Sequence, residues 1–244
     1  MKLRNVLIVF TILCCVELYA QEFAVGIKGG LNTNSIGDIN SRGGSFETGH
    51  PDELFSPNKE IGYQFGAFLN IEFGKFFIRP EINFVQLNNS YSFPEAETAW
   101  SASKTDIPIL LGYRIIGPVA PYVGFGFNLY GDVKMESANN TPGKTNINYF
   151  NSTTTLNFGI NVEFKRFGID LRYEMGNTET EEELQDFIFS GNGATGVNLA
   201  DILPYKPSQI SLSVNIFLFR TNADDIGGLF SGLFKGKCHC PYTK

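Results

Sequence analysis

The chain has 244 residues, 43% of them hydrophobic, with a mean hydropathy of −0.06 and a formal net charge of −6. Near-zero hydropathy and the lack of any run of roughly 18 apolar residues exclude a bundle of membrane-spanning helices. The acidic balance argues against nucleic acid as a partner.

The first element is a leader. Lys2 and Arg4 precede the apolar run Val6–Val16, and Glu17-Leu-Tyr-Ala20 follows before Gln21. A basic start, a short apolar core and a small final residue make residues 1–20 a secretory signal peptide, cleaved after Ala20. Cys14 and Cys15 raise a lipoprotein signal as a rival. However, Leu13 and Cys14 precede them where such signals carry Gly, Ala or Ser.

From residue 21 to 220 every second residue tends to be apolar. In Phe23–Asn32, Phe23, Val25, Ile27 and Leu31 share one face and Lys28 lies on the other. In Ile61–Phe73 the odd positions are Ile, Tyr, Phe, Ala, Leu, Ile and Phe, and period two means strand. A two-residue turn at Gly74-Lys75 places Ile71 opposite Ile78, Leu69 opposite Pro80, Ala67 opposite Ile82 and Phe65 opposite Phe84. The other face then pairs Asn70 with Arg79 and Phe68 with Glu81, so both strands agree on their faces.

A three-residue turn at Ile116-Gly-Pro118 sets Ile107, Ile109, Leu111, Tyr113 and Ile115 against Phe127, Phe125, Val123, Pro121 and Val119. It also lays Tyr122 across from Gly112 as aromatic cover. Around Lys165-Arg166, Val162 faces Ile169, Ile160 faces Leu171 and Phe158 faces Tyr173, with Asn161 opposite Asp170. Ser208–Phe219 carries Ile210, Leu212, Val214, Ile216 and Leu218 on one face. Pairing this strand with the first closes eight antiparallel strands with no edge. Pro80 and Pro121 fall inside strands but near turns, where a missing ladder bond is tolerable.

Between the short turns lie four long connections, Thr33–Lys59, Asn89–Ser103, Gly131–Ser152 and Asn177–Pro207. Alternation alone does not say which face is inside, and a lipocalin-like secreted barrel would put the apolar face around a ligand. Three features favour a membrane barrel with the apolar face outward. The polar face is built largely from Gly, Ser and Asn, which suit a narrow interior. Its charges come in both signs, as a sealed interior requires: Lys28, Glu72, Arg79, Glu81, Arg114, Glu163, Asp170, Arg172 and Glu174. Short turns alternate with loops of roughly 15 to 31 residues, the pattern of barrels with short periplasmic turns and long outer loops. Tyr63, Phe73, Phe76, Phe164, Phe167 and Tyr173 fit interfacial girdles. The fold expected is therefore an all-β, eight-stranded, up-and-down transmembrane barrel over 21–220, in contact with outer-membrane lipid.

Several stretches resemble the PorT-like outer-membrane β-barrel family of Bacteroidetes. They are Val25-Gly-Ile-Lys-Gly-Gly-Leu-Asn32, Tyr63-Gln-Phe-Gly-Ala-Phe-Leu-Asn70, Ile78-Arg-Pro-Glu-Ile-Asn83, Asp106-Ile-Pro-Ile-Leu-Leu-Gly112, Pro121-Tyr-Val-Gly-Phe-Gly126 and Arg172-Tyr173. The resemblance spans residues 22–220 and implies the fold and an outer-membrane location. Its name also implies envelope or secretion-system proteins as partners.

Chemistry has few candidates. The inward charges could form an ion path or a ligand grip, or salt bridges that fill the lumen; an eight-stranded interior is just wide enough for side chains, which favours filling. Only His50 and His239 could serve as a histidine base. His50 sits in the first long loop and His239 in the tail, so no catalytic residue and no enzyme activity is expected, a lipid-active enzyme at the outer rim being the alternative to a structural or interaction protein. The last loop is acidic, with Glu179, Glu181, Glu182, Glu183, Asp186 and Asp201 against Lys206. It is either a cation or partner site or a solvated loop, and its Phe187-Ile-Phe189 suggests packing. Residues 221–244 form a periplasmic tail ending in Cys238-His-Cys240, whose spacing is not that of a zinc site. No metal or cofactor is expected, and function is placed in the loops or the tail.

Overall fold

The computed structural model describes residues 21–41, 53–94, 97–135, 153–186 and 199–221. The expected leader, His50, Phe187-Ile-Phe189 and Cys238-His239-Cys240 of the expected tail lie outside the described residues. Eight long strands carry the fold: β1 (Gln21–Ser35), β2 (Gly62–Phe73), β3 (Phe76–Ser92), β4 (Glu97–Tyr113), β5 (Val119–Met135), β6 (Thr153–Glu163), β7 (Phe167–Gly176) and β8 (Ser208–Arg220). Each pairs antiparallel with its chain neighbours, and β8 pairs with β1, so the sheet closes into a ring.

The hairpin registers are those that alternation demands. Ile71 faces Ile78, Ile109 faces Phe125 and Leu171 faces Ile160. The β2–β3 ladder lapses opposite Pro80 and the β4–β5 ladder stops before Pro121, because neither imide can donate. At the β4–β5 turn, Ile116 bridges Val119, so the turn is Gly117-Pro118, with Gly117 at φ +53°, rather than the three-residue turn expected. Each short turn is tied to the next strand. Arg114 N–H donates to Lys75 O at 2.7 Å, Glu163 N–H to Pro118 O at 2.8 Å, and Phe217 N–H to Arg166 O at 3.0 Å.

Around this short-turn end the outer wall is apolar. Val25, Ile27, Phe65, Ile78, Ile109, Phe125, Phe158, Leu171 and Leu212 are all exposed. Aromatic pairs mark the rim, with Phe76–Tyr113 and Phe164–Phe167 centroids each 4.7 Å apart.

At the long-loop end the polarity reverses. On β3 the outward residues run Phe76, Ile78, Ile82, Phe84 and then Gln86 and Asn88. The inward ones run Phe77, Arg79, Glu81, Asn83 and then Val85, Leu87 and Tyr91. The switch falls between Phe84 and Val85. On β4 it falls between Asp106 and Ala102, with Trp100 inside above it. β5 makes the switch with a bulge: Lys104 pairs Tyr130 and Ala102 pairs Val133, so Gly131 and Asp132 together stand against Ser103. The extra residue turns Val133 and Met135 inward where Lys134 would otherwise go.

One expected loop is therefore largely strand, and a second begins as strand. Asn89–Ser103 is strand up to Ser92 and again from Glu97, and β5 runs through Gly131 to Met135. The reversed alternation conceals these extensions from a search for a continuous apolar face.

The other loops build a cap. Short strands Glu183–Asp186, Leu199–Ile202, Ile39–Ser41 and Leu54–Phe55 pair antiparallel in that order. Ile39, Phe55, Ala200 and Ile202 pack with Val85, Leu87, Trp100 and Val133 in one buried core. Phe55 and Phe93 meet edge to face at 5.0 Å, and Tyr91 Oη donates to Gly37 O at 2.6 Å. Burial pushes the Tyr205 hydroxyl, packed against this core, well above its ordinary pKa.

Candidate functional site

Enclosed by the apolar wall is a lumen of paired charge, arranged in three tiers. At the short-turn end, Glu72 and Glu163 meet Arg79, Arg114 and Arg220. Arg79 Nη2 pairs with Glu163. Arg114 Nη2 lies 2.9 Å from Glu163 and 3.1 Å from Glu72, and Arg220 Nη2 lies 3.3 Å from Glu72. Asn70 and Asn161 donate to Glu72 and Glu163 at 2.7 and 2.6 Å.

In the middle tier, Lys28 Nζ bridges Glu81 at 3.1 Å and Asp170 at 3.0 Å. Arg172 Nη2 contacts both Glu81 oxygens at 2.9 and 2.8 Å and Asp170 at 3.2 Å, and Asn83 joins Glu81 to Asp106. In the upper tier Lys104 Nζ lies 2.6 Å from Glu174, which also accepts from Asn128.

The network joins six cations to six carboxylates and is neutral as a whole. Isolated charge in such a site would be strongly unfavourable, and mutual pairing with amide donors is what makes it tolerable.

Glycine and aromatic residues hold the arginines in place. Phe68 sits directly across from Gly26, Phe77 across from Gly112, and Tyr122 across from Gly159. In each case the ring occupies the space a glycine side chain would need. Tyr122 therefore covers Gly159, although it is also the register partner of Gly112; Phe77 covers Gly112. These rings in turn clamp guanidinium groups. Arg79 lies 5.0 Å from the centroids of both Phe68 and Phe77, and Arg172 lies 5.6 Å from that of Tyr122. Tyr122 Oη accepts from Arg172 Nε at 3.0 Å and donates to Asp170 at 2.5 Å. Small residue, flat ring and planar cation form one repeated unit.

Lys28, Glu72, Arg79, Glu81, Arg114, Glu163, Asp170, Arg172 and Glu174 all join this network, with Arg114 half-exposed at the rim. Alternation missed Arg220, because a bulge at Leu218 shifts β8 by one residue. Leu218 and Phe219 both face out and Arg220 turns in. It also missed Lys104 and Asp106, which lie where the faces exchange character.

Glu179, Glu181 and Glu182 are exposed, while Glu183 and Asp186 sit at opposite ends of one strand, paired with Ile202 and Leu199. Among the described residues no three His, Cys, Asp or Glu side chains converge as metal ligands would. At the top of the lumen, beside Lys104, Glu174 and Trp100, the void is about 10 Å³, the space of about one water.

No curated protein matches the chain at a significant level. Among solved structures, OprG of Pseudomonas aeruginosa is similar at 12% identity and a TM-score of 0.42, over 80% of this chain and 95% of that one. Neisserial surface protein A is similar at 9% identity and a TM-score of 0.36, over 78% and 96% respectively. A family model described as the outer membrane protein beta-barrel domain matches residues 6–216. With that match and the closed antiparallel ring, the chain belongs to the outer membrane protein β-barrel family and resides in the outer membrane.

Proposed function

We propose that this protein is a non-conducting, non-enzymatic outer-membrane protein that presents a folded cap for interaction, its long-loop end outside the cell and its short turns and tail in the periplasm. The observation that carries this reading is the lumen: six cations and six carboxylates neutralise one another, and a packed apolar core sits above them. An eight-stranded ring has room for little else. The lumen carboxylates are engaged with cations and amides rather than turned toward a substrate.

Reconstitution in planar lipid bilayers tests the reading. Silent membranes are expected, and stepwise conductance from pure protein would overturn it. A place beside a secretion machine, implied by the PorT-like resemblance, would use the cap or residues 221–244. Deleting 221–244 should then disturb secretion or change the partners recovered from envelopes; unchanged secretion and partners would remove that role from the tail.

A further inference from the structure

We infer that the outer face of β3–β5 holds one acyl chain of an anionic glycolipid, with its phosphate near Lys134. The inference rests on the orientation proposed above. The site is a groove of about 450 Å³ on the wall of the barrel, at the upper edge of the apolar band. One cross-strand row explains its shape, because Phe65 pairs Phe84, Phe84 pairs Thr105, and Thr105 pairs Leu129. Three of these four side chains are large and project outward, whereas Thr105 is short, which leaves a trough between Phe84 and Leu129. Phe65 and Phe84 stack at 5.3 Å and stiffen one wall.

The bulge extends the trough upward. Gly131 lies against Ser103, so the row above Thr105 is also low, and a side chain added at Gly131 would meet Ser103 Oγ at 2.6 Å. Bulges bend a strand and increase its local twist, which opens its surface at the point where the ladder is interrupted.

Hydrocarbon is the medium that meets this wall, since the apolar band continues below the trough through Ile82, Ile107 and Phe127. The upper lip is uncharged and polar, made by Gln86 and Ser103. Directly above it Lys134 is exposed and pairs across the ladder with Ser101. Apolar trough, hydroxyl- and amide-bearing lip and a single cation follow the order of an acylated, phosphorylated sugar: chain, sugar, phosphate. A cation at this level is worth about 1 kcal/mol toward an anionic headgroup.

Native mass spectrometry of the full chain in detergent, with lipid A or phosphatidylethanolamine added, tests the inference. One retained lipid A per barrel is expected. Thr105→Trp, which fills the trough, should lower retention at least tenfold. Lys134→Glu should weaken lipid A several-fold and leave phosphatidylethanolamine unchanged. Ile210→Trp, on the outward face of β8, should bind as the unaltered chain does. Equal losses from Thr105→Trp and Ile210→Trp, or no loss from either, would overturn the groove as a site. Retention of phosphatidylethanolamine that Thr105→Trp abolishes, without lipid A binding, would keep the groove but overturn the glycolipid and the orientation. Should Thr105→Trp fail to fold, a Leu129→p-benzoylphenylalanine chain irradiated in whole envelopes serves instead. A discrete lipid A adduct supports the site, and an adduct pattern equal to that from Ile210→p-benzoylphenylalanine sinks it.

Discussion

The same strands behave as two different proteins above and below Phe84. Below it, Ile78 and Ile82 face out while Arg79 and Glu81 face in. Above it, Gln86 and Asn88 face out while Val85, Leu87 and Tyr91 face in. The β3–β4 ladder is unbroken across this point, and only the solvent changes. The hydrophobic effect therefore acts in opposite directions on one hairpin, and the lower half needs a polar network as its core whereas the upper half has an ordinary apolar one.

Substitutions on either side of that line should separate the halves. Arg172→Met leaves Glu81, Asp170 and Asp106 with Lys28 as the one remaining cation of the tier, and loss of one partner from a buried network costs about 3–5 kcal/mol. The whole barrel should lose stability, read as a lower urea midpoint for the heat-modifiable band on gels. Trp100→Ala in the upper core should cost a similar ~3–5 kcal/mol. Its effect, however, should stay local: protease should nick the β3–β4 tip while the gel shift survives, and simultaneous loss of both would show the halves to be one cooperative unit. Ile109→Arg, on the outward face of the band, should destabilise by ~2–4 kcal/mol in lipid vesicles. Gly112→Ala, which forces Phe77 off its seat beside Arg79, should cost ~1–3 kcal/mol by denaturant titration. Ala99→Arg, outward on β4 above the line, should change stability by less than ~0.5 kcal/mol. A penalty there equal to that at Ile109 would mean that the band reaches higher than Phe84.

Much of the lower half was legible from residue order, because a period of two, checked across hairpins, fixes both face and register. Lys28, Glu81 and Asp170 are found by parity alone. Parity fails wherever a residue is inserted. Leu218 in β8 and the Gly131–Asp132 pair in β5 each move the following residues to the opposite face, which concealed Arg220 and the inward Val133. It fails again where the solvent changes: Tyr91 and Trp100 are apolar on the face that carries charge below them, so Asn89–Ser103 read as loop. Glycine–aromatic cover was legible as a device but not in its partners, since each glycine has two cross-strand neighbours and only packing chooses between them. The grouping of charges into tiers depends on distances across the lumen, which strand register does not specify.

In the orientation proposed above, the cap's shared core with β3, β4 and β5 has a consequence for anything that meets the cell from outside. A surface assembled from residues 36–41, 53–59 and 199–205 over a common core is a composite shape. An antibody raised against native envelopes should therefore recognise a discontinuous epitope. Its signal should vanish on denaturing blots and fall with Trp100→Ala, while linear peptides from the same segments should not compete.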